Sequence, residues 1–580
     1  MISSSIRIDQ NVSMEMRDGT LLVADIYRPG AKGKYPAIIV RTPYHIDEVL
    51  SFSYVTALPT LQAGYALVLA YVRGRFGSQG EYDLAAPQGI EGPDCYDTVE
   101  WVASQPWCDG NIGMAGESAL GTVQWRTARE NPPHLKAIAP SLTGAPGESG
   151  PEVSDAPLLL NIAVSFLLIV AGNILDKLDV KGEDTTEMRR LIQTVQADPS
   201  LAYNYLPLKD VPQFNIPGIK EIWQTQLRKY APRTQSGRPE PYPYHKINIP
   251  TLNIASWYDP WSRSTFQTFL NMKAKAGSSY ARQHQHLFAG PWCHHKPTRI
   301  LGDIDFGPLA NEVGSHAWEY QLSFFDKYLK GKDINLPFVR YFTMSRNTWH
   351  NASAWPLPQT NWQRFFLHSR GGANSYTGDG ILSREEPGKE PIDTYVYNPY
   401  HPVPTTGGRG AEAENGFVTG PIDQYFVERR ADVLCYTTPE LDQDTEVTGP
   451  LELHLFAATS GKDTDFTVKL VDVYPDGHAY NIADGITRAQ YRNSFTKPEL
   501  VKPGEIVEFI IRLGPVSQLF RRGHRIRMDI TSSNFPTYDR NMNTGNAIGE
   551  DVEGIPVLQT IYHQTGYTSY IDLPIIPLKY

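Results

Sequence analysis

Apolar and polar positions change period several times along the chain, and those changes mark out its elements. YPAIIVRTPY (Tyr35 to Tyr44) and YALVLAYVRG (Tyr65 to Gly74) are unbroken apolar, β-branched runs, which is how strands covered on both faces read. DCYDTVEWVASQ, Asp94 to Gln105, has the period of a helix; NIGMAGES then leads from a strand into a sharp turn. LKAIAPSLTG (Leu135 to Gly144) is a further strand. Strands alternating with helices predict a mostly parallel sheet with helices on both faces.

From about Ala145 to Tyr244 the pattern turns to helical stretches closed by the Pro-rich GRPEPYPYHKINIP. Strands resume at PTLNIASWYD (Pro250 to Asp259) and HQHLFAGPW (His284 to Trp292), so the helical part is an insertion within the sheet. HAWEYQLSFFDKYLKG is an amphipathic helix with Gly331 as its stop. Beyond about Leu336, short alternating strands such as WQRFFLHS, LELHLFAAT and HRIRMDITSS follow one another between Gly, Pro and Asp turns, the pattern of a β-sandwich or jelly roll. The expected division is residues 1–144 and 246–335 for an α/β core, 145–245 for an inserted helical cap, and 336–580 for an all-β domain.

Composition narrows the classes of function. With 580 residues, 41% of them hydrophobic, the chain is long enough for several packed domains. Its net charge of -10, with no basic stripe, excludes nucleic acid as the expected partner. Four cysteines, without CxxC or zinc-ligand spacing, predict a reducing, cytoplasmic location and no metal site. PLLLNIAVSFLLIVAGNIL (Pro157 to Leu175) approaches the length of a bilayer span, but Asn161, Ser165 and Asn173 interrupt it and acidic residues precede it. A buried or cap helix is expected there, with no membrane span.

The candidate chemistry lies at three strand ends. GMAGESALG puts Ser118 at a strand-to-helix turn between the small residues Gly116 and Gly121, the setting of a nucleophile elbow. The strict G-x-S-x-G form is not met, because Leu120 holds the last Gly position, and a capping serine would fit the same turn. Asp259 follows the strand TLNIASWY, and His294 follows HLFAGPW. Ser, then Asp, then His, each just beyond a strand, is the chain order of an α/β-hydrolase triad. Asp259 has a competing role as a helix cap beside Pro260, and His295 competes with His294 for the base. His284 and His286 read as packing or surface residues. Tyr44, ending the first strand, reads either as packing or as a hydroxyl donor to an oxyanion.

These stretches together resemble the cocaine esterase-like and Xaa-Pro dipeptidyl-peptidase-like serine hydrolases of the α/β-hydrolase fold. The resemblance runs nearly end to end. It is carried by MRDGTLLVADIYRP, RTPY, YVRGRFGSQGEY, DTVEWVASQPWCDGNIGMAGES, SWYDPW and AGPWCHH, and by DTDFTVKLVDVYPDGHAYNIADGITRAQYR in the last third. It implies a hydrolase core with a helical cap and a C-terminal jelly roll of galactose-binding type. It matches Ser118 to the nucleophile, Asp259 to the acid, His294 to the base, Tyr44 to the side-chain oxyanion donor and the Ala119 N–H to the backbone donor. Close relatives usually carry Tyr where this chain has Ala119, so a bulky pocket wall is missing.

The expected activity is hydrolysis of a carboxylic ester or amide through an acyl-enzyme, without cofactor or metal. An apolar cap helix suggests a small-molecule substrate with an apolar group, lined by Trp261 and Phe166. Transfer of the acyl group to an alcohol or amine in small-molecule biosynthesis, an Xaa-Pro dipeptidyl-peptidase and a carbohydrate-binding scaffold are the alternatives. A homodimer is compatible with all of these.

Overall fold

The computed structural model describes residues 6–30, 33–52, 56–82, 91–146, 157–229, 242–294, 297–410, 418–495 and 497–578. Ten strands form the first sheet: β1 (Ile6–Glu15), β2 (Leu21–Pro29), β3 (Tyr35–Thr42), β4 (Ala66–Tyr71), β5 (Cys108–Glu117), β6 (Leu135–Ser141), β7 (Thr251–Ser256), β8 (Gln285–Gly290), β9 (Val339–Thr343) and β10 (Thr348–Ala352). Their order is β1-β2-β4-β3-β5-β6-β7-β8-β9-β10. From β4 to β9 every neighbouring pair is parallel, and antiparallel strands close both edges.

The apolar runs of these strands are explained by cover on both faces. Along β3, Ala37 and Ile39 join a core with Val99 of α1 (Glu91–Ser104) and Val123 and Trp125 of α2 (Ala119–Glu130). The alternate residues Ile38 and Val40 pack on the other face with Phe324, Phe325 and Leu329 of α7 (Ala317–Leu329). Each such buried Val, Leu, Ile or Phe side chain contributes about 1.5–3 kcal/mol. Glycine matters where α7 presses on the sheet: a Cβ at Gly113 would lie 2.7 Å from Phe325.

Between β6 and β7 the chain forms the helical insert, with α3 (Leu160–Val180), α4 (Thr186–Ala197) and α5 (Ile219–Lys229) around Trp223, Phe214 and Leu167. Helix α3 is long and apolar enough to cross a bilayer, but half of its apolar window is buried within the fold. The approach to α3 is tied to the last third of the chain: Leu158 N–H donates to Asp539 Oδ1 at 2.6 Å, and Leu160 N–H to Thr537 O at 2.9 Å. Helix α6 (Ser262–Lys275) follows β7.

The C-terminal domain is mostly β-sheet. Among the described residues its eleven strands run from Asn361–His368 to Tyr570–Ile576, and the long strand Thr445–Thr459 pairs with three others. One apolar core runs from Trp257, Phe266 and Leu287 through Phe342 into Leu453, Phe466 and Ile530, so the two domains share buried surface.

Two features depart from the pattern read in the sequence. The hairpin β1–β2 carries no clean alternation of exposed and buried positions, so local pattern does not announce it. Strands β9 and β10 fall beyond residue 336 yet extend the first sheet, β9 lying parallel to β8 and β10 antiparallel to β9. A short strand with alternating apolar residues reads alike whichever sheet receives it.

Candidate active site

Ser118 follows β5 at once and precedes α2, with φ 56° and ψ -120°, a conformation that costs an L-residue about 1–3 kcal/mol. Its surroundings make the turn possible. Gly116 has φ +126°, and a Cβ there would sit 2.6 Å from Leu120 Cβ; a Cβ at Gly121 would sit 2.5 Å from Thr143 Cγ2. The small residue that the elbow needs after the serine is therefore Gly121, one position beyond the strict motif. The backbone fixes the turn further: Ser118 N–H donates to Ser141 O at 2.9 Å, and Gly121 and Thr122 N–H to Ser118 O. Gln124, fully buried, clamps strand and helix together by donating to Gly116 O at 2.9 Å and accepting from Ala139 N–H at 3.0 Å.

Asp259 and His294 leave the neighbouring strands β7 and β8 at the same edge of the sheet. Asp259 is fully buried and His294 nearly so, and His294 Nδ1 lies 2.6 Å from Asp259 Oδ1. A carboxylate only accepts, so the proton of this contact sits on Nδ1 and leaves Nε2 as the acceptor that a general base requires. The other carboxylate oxygen accepts from Trp261 N–H at 3.2 Å. Asp259 thus stabilises the turn that leads into α6 and holds the imidazole, but it is not the helix cap: that position is Trp261, and no side chain caps the helix. The Trp261 ring lies against the His294 ring, centroids 4.6 Å apart and tilted by 45°.

The remaining candidates fall as follows. Tyr44 stands two residues past β3, half-buried, its N–H donating to Thr42 Oγ1 at 2.9 Å. Ala119, half-buried, is the first residue of α2. Phe166, on α3, packs half-buried against the apolar cluster of the insert. His295 lies outside the described residues. His286 is a packing residue: its ring is held between Pro337 O and the Tyr328 hydroxyl, each at 2.9 Å, and burial lowers its pKa to about 4.

Arg75 is a further residue at the site that no sequence motif singles out. Its side chain is buried, donating from Nε to Pro43 O at 2.7 Å and from one terminal nitrogen to Val170 O of α3 at 3.3 Å, and lying over the rings of Phe76 and Tyr82. Burial pushes its guanidinium below the ordinary value. The side chain joins the peptide next to Tyr44 to the insert, a link between distant segments that no local sequence pattern announces.

Comparison with known proteins agrees with this architecture. Residues 18–296 match the X-Pro dipeptidyl-peptidase (S15 family) model, and residues 333–572 the X-Pro dipeptidyl-peptidase C-terminal non-catalytic domain. The chain is 36% identical to the cocaine esterase of Rhodococcus sp. (strain MB1 Bresler), over 99% of this chain and 100% of that protein. An α-amino acid ester hydrolase of known structure superposes with a TM-score of 0.73 at 22% identity, covering 99% of this chain and 97% of that one. An aminopeptidase from a Thaumarchaeota archaeon gives 0.71 at 23%, with 99% and 96% covered. Both structural likenesses concern the fold. The protein is a serine hydrolase of the α/β-hydrolase class. Within that class, it belongs to the cocaine esterase-like, X-Pro dipeptidyl-peptidase-like family.

Proposed function

We propose that this chain cleaves carboxylic esters by acyl transfer through Ser118, with His294 as general base and Asp259 as the acid that orients it. The observation that carries the reading is the 2.6 Å contact between the buried Asp259 and His294, at the sheet edge where Ser118 is held in a strained elbow. His294 Nε2 takes the Ser118 proton as Oγ attacks the carbonyl carbon, and returns it to the leaving alcohol as the C–O bond breaks. Water then enters by the same base and releases the acid. The Tyr44 hydroxyl and the Ala119 N–H hold the developing oxyanion, each donor contributing about 3–4 kcal/mol.

Ester over peptide is favoured by the full-length match to an esterase at 36% identity. The substrate is a small molecule with an apolar group. Trp261, against the base, and Phe166, on the apolar helix α3, would supply the apolar wall. A two-layered jelly roll of galactose-binding type is the finer reading of the C-terminal domain, supported by one strand, Thr445–Thr459, that pairs with three others. A reducing, cytoplasmic location is supported by four buried cysteines that form no disulfide.

The test is a panel of p-nitrophenyl esters and aminoacyl-prolyl anilides of graded chain length. Turnover of the esters with little of the anilides supports the reading; the reverse preference refutes it. Product analysis with added alcohols separates hydrolysis from acyl transfer.

A further inference from the structure

A loop of the C-terminal domain reaches the backbone that carries the acid and the base. Gly410 N–H donates to Tyr258 O at 3.0 Å, one residue before Asp259, and Gly410 O accepts from His294 N–H at 3.2 Å. A single peptide segment therefore bridges the two catalytic loops. Arg409, whose side chain is 9% exposed, fixes that segment. Its Nε donates to Trp257 O at 3.2 Å, and a terminal nitrogen donates to Asp484 O at 2.8 Å. Its own N–H donates to Asp484 Oδ2 at 3.2 Å.

The loop is built for this approach. Gly408 has φ +91°, and a Cβ there would lie 2.6 Å from Asp484 Oδ2; Gly408 and Gly420 also exchange backbone hydrogen bonds at 2.7 and 2.9 Å. A Cβ at Gly514 would lie 3.1 Å from a terminal nitrogen of Arg409, so glycine leaves the guanidinium its space. On the other side, the buried Tyr258 hydroxyl donates to Asn481 O at 3.2 Å. Asn481 and Asp484 lie in the strand Ala479–Arg488, inside the HAYNIADGITRAQYR stretch that the catalytic residues leave unexplained. The segment Trp257–Tyr258 is thus held from the C-terminal domain at both carbonyls and at one side chain.

We propose that Arg409 is a positioning residue: from the C-terminal domain, through the Gly410 peptide, it holds Asp259 and His294 in register. This rests on the triad reading above. The domain matched as non-catalytic would then set the geometry of the base without touching substrate.

The test compares wild type with Arg409→Met and Arg409→Lys. Arg527→Met, which breaks the buried Arg527–Glu428 ion pair elsewhere in the same domain, serves as a stability control. For Arg409→Met, kcat for a p-nitrophenyl ester is expected to fall about 10²-fold, the cost of a displacement near 1 Å, with KM changed by about twofold or less. The far-downfield proton resonance of the His294 Nδ1–H should shift or vanish, and Arg409→Lys should recover part of kcat. Arg527→Met should lower Tm and leave kcat and the resonance in place. Wild-type kcat with an unmoved resonance in Arg409→Met would overturn the proposal, as would an equal loss of kcat in Arg527→Met. Fluorophosphonate labelling keeps the two readings apart. Failure of wild type to label at Ser118 removes the triad itself. Labelling of wild type and Arg409→Met at equal rates removes only the role of Arg409.

Discussion

Replacing Asp259 by Asn changes one atom in a site where both carboxylate oxygens are engaged. Oδ2 accepts from Trp261 N–H at 3.2 Å and Oδ1 from the His294 ring at 2.6 Å, with Asp259 fully buried. The amide introduced by Asp259→Asn has one acceptor and one donor group. Trp261 N–H is a fixed backbone donor and claims the acceptor, so the NH2 faces His294 Nδ1. The imidazole then accepts at Nδ1 and carries its proton on Nε2, the wrong nitrogen for taking a proton from Ser118. The ring stays in place against Trp261, so binding is little changed and the loss falls on kcat. A wrong tautomer costs about 10⁴-fold in kcat, equivalent to about 5.5 kcal/mol. Folding stability should fall by about 1.5–3 kcal/mol at most, the worth of one hydrogen bond to a charged group. Steady-state hydrolysis of a p-nitrophenyl ester, alongside a urea titration, separates the two effects. A kcat within about tenfold of wild type would refute the tautomer argument and leave Asp259 a turn-stabilising residue only.

Other residues give equally distinct expectations. Gly116→Ala combines strain at φ +126° with a contact of 2.6 Å to Leu120 Cβ, so a loss of about 2–6 kcal/mol in stability and slower fluorophosphonate labelling are expected; a loss below about 1 kcal/mol would show that the elbow tolerates a side chain. Tyr44→Phe should lower kcat about 10²–10³-fold at nearly constant KM, and unchanged kcat would make Tyr44 a packing residue. His286 titrates at about 4 in the fold and at about 6.5 unfolded. The folded state thus prefers the neutral ring, and its stabilising share is complete above pH 6.5 and is lost as pH falls toward 4. His286→Gln should therefore gain about 2 kcal/mol on wild type between pH 7 and pH 5 in urea unfolding; parallel pH curves for the two proteins would contradict this.

The parts of the structure legible in the sequence are those set by local pattern. The run Tyr35 to Tyr44 forms a strand over Tyr35–Thr42, and Pro250 to Asp259 one over Thr251–Ser256; the apolar pattern overruns each end because residues at the site edge of the sheet are buried too. The serine turn was legible from its glycines, although Gly121 rather than position 120 supplies the close approach. Asp259 and His294 were placed by chain order, and their contact, which joins residues 35 apart, appears only once β7 and β8 pair. What stayed hidden depends on distant partners. Arg75 meets Val170 across the insert, and Arg409 meets Trp257 across the domain boundary; neither has a sequence period or neighbour to announce it. Strands β9 and β10 lie in the stretch beyond residue 336 expected to be all-β, yet they join the first sheet, because pairing is decided by partners that local pattern does not contain.

The central claim is that a covalent acyl-enzyme forms on Ser118. Wild-type protein mixed with a slowly deacylating p-nitrophenyl ester and quenched at once, then digested and analysed by mass spectrometry, reads this directly. The account predicts a burst of p-nitrophenol with one acyl mass added to the peptide containing Ser118, and neither burst nor adduct in Ser118→Ala. Full turnover by Ser118→Ala, or an adduct on a different residue, would contradict it.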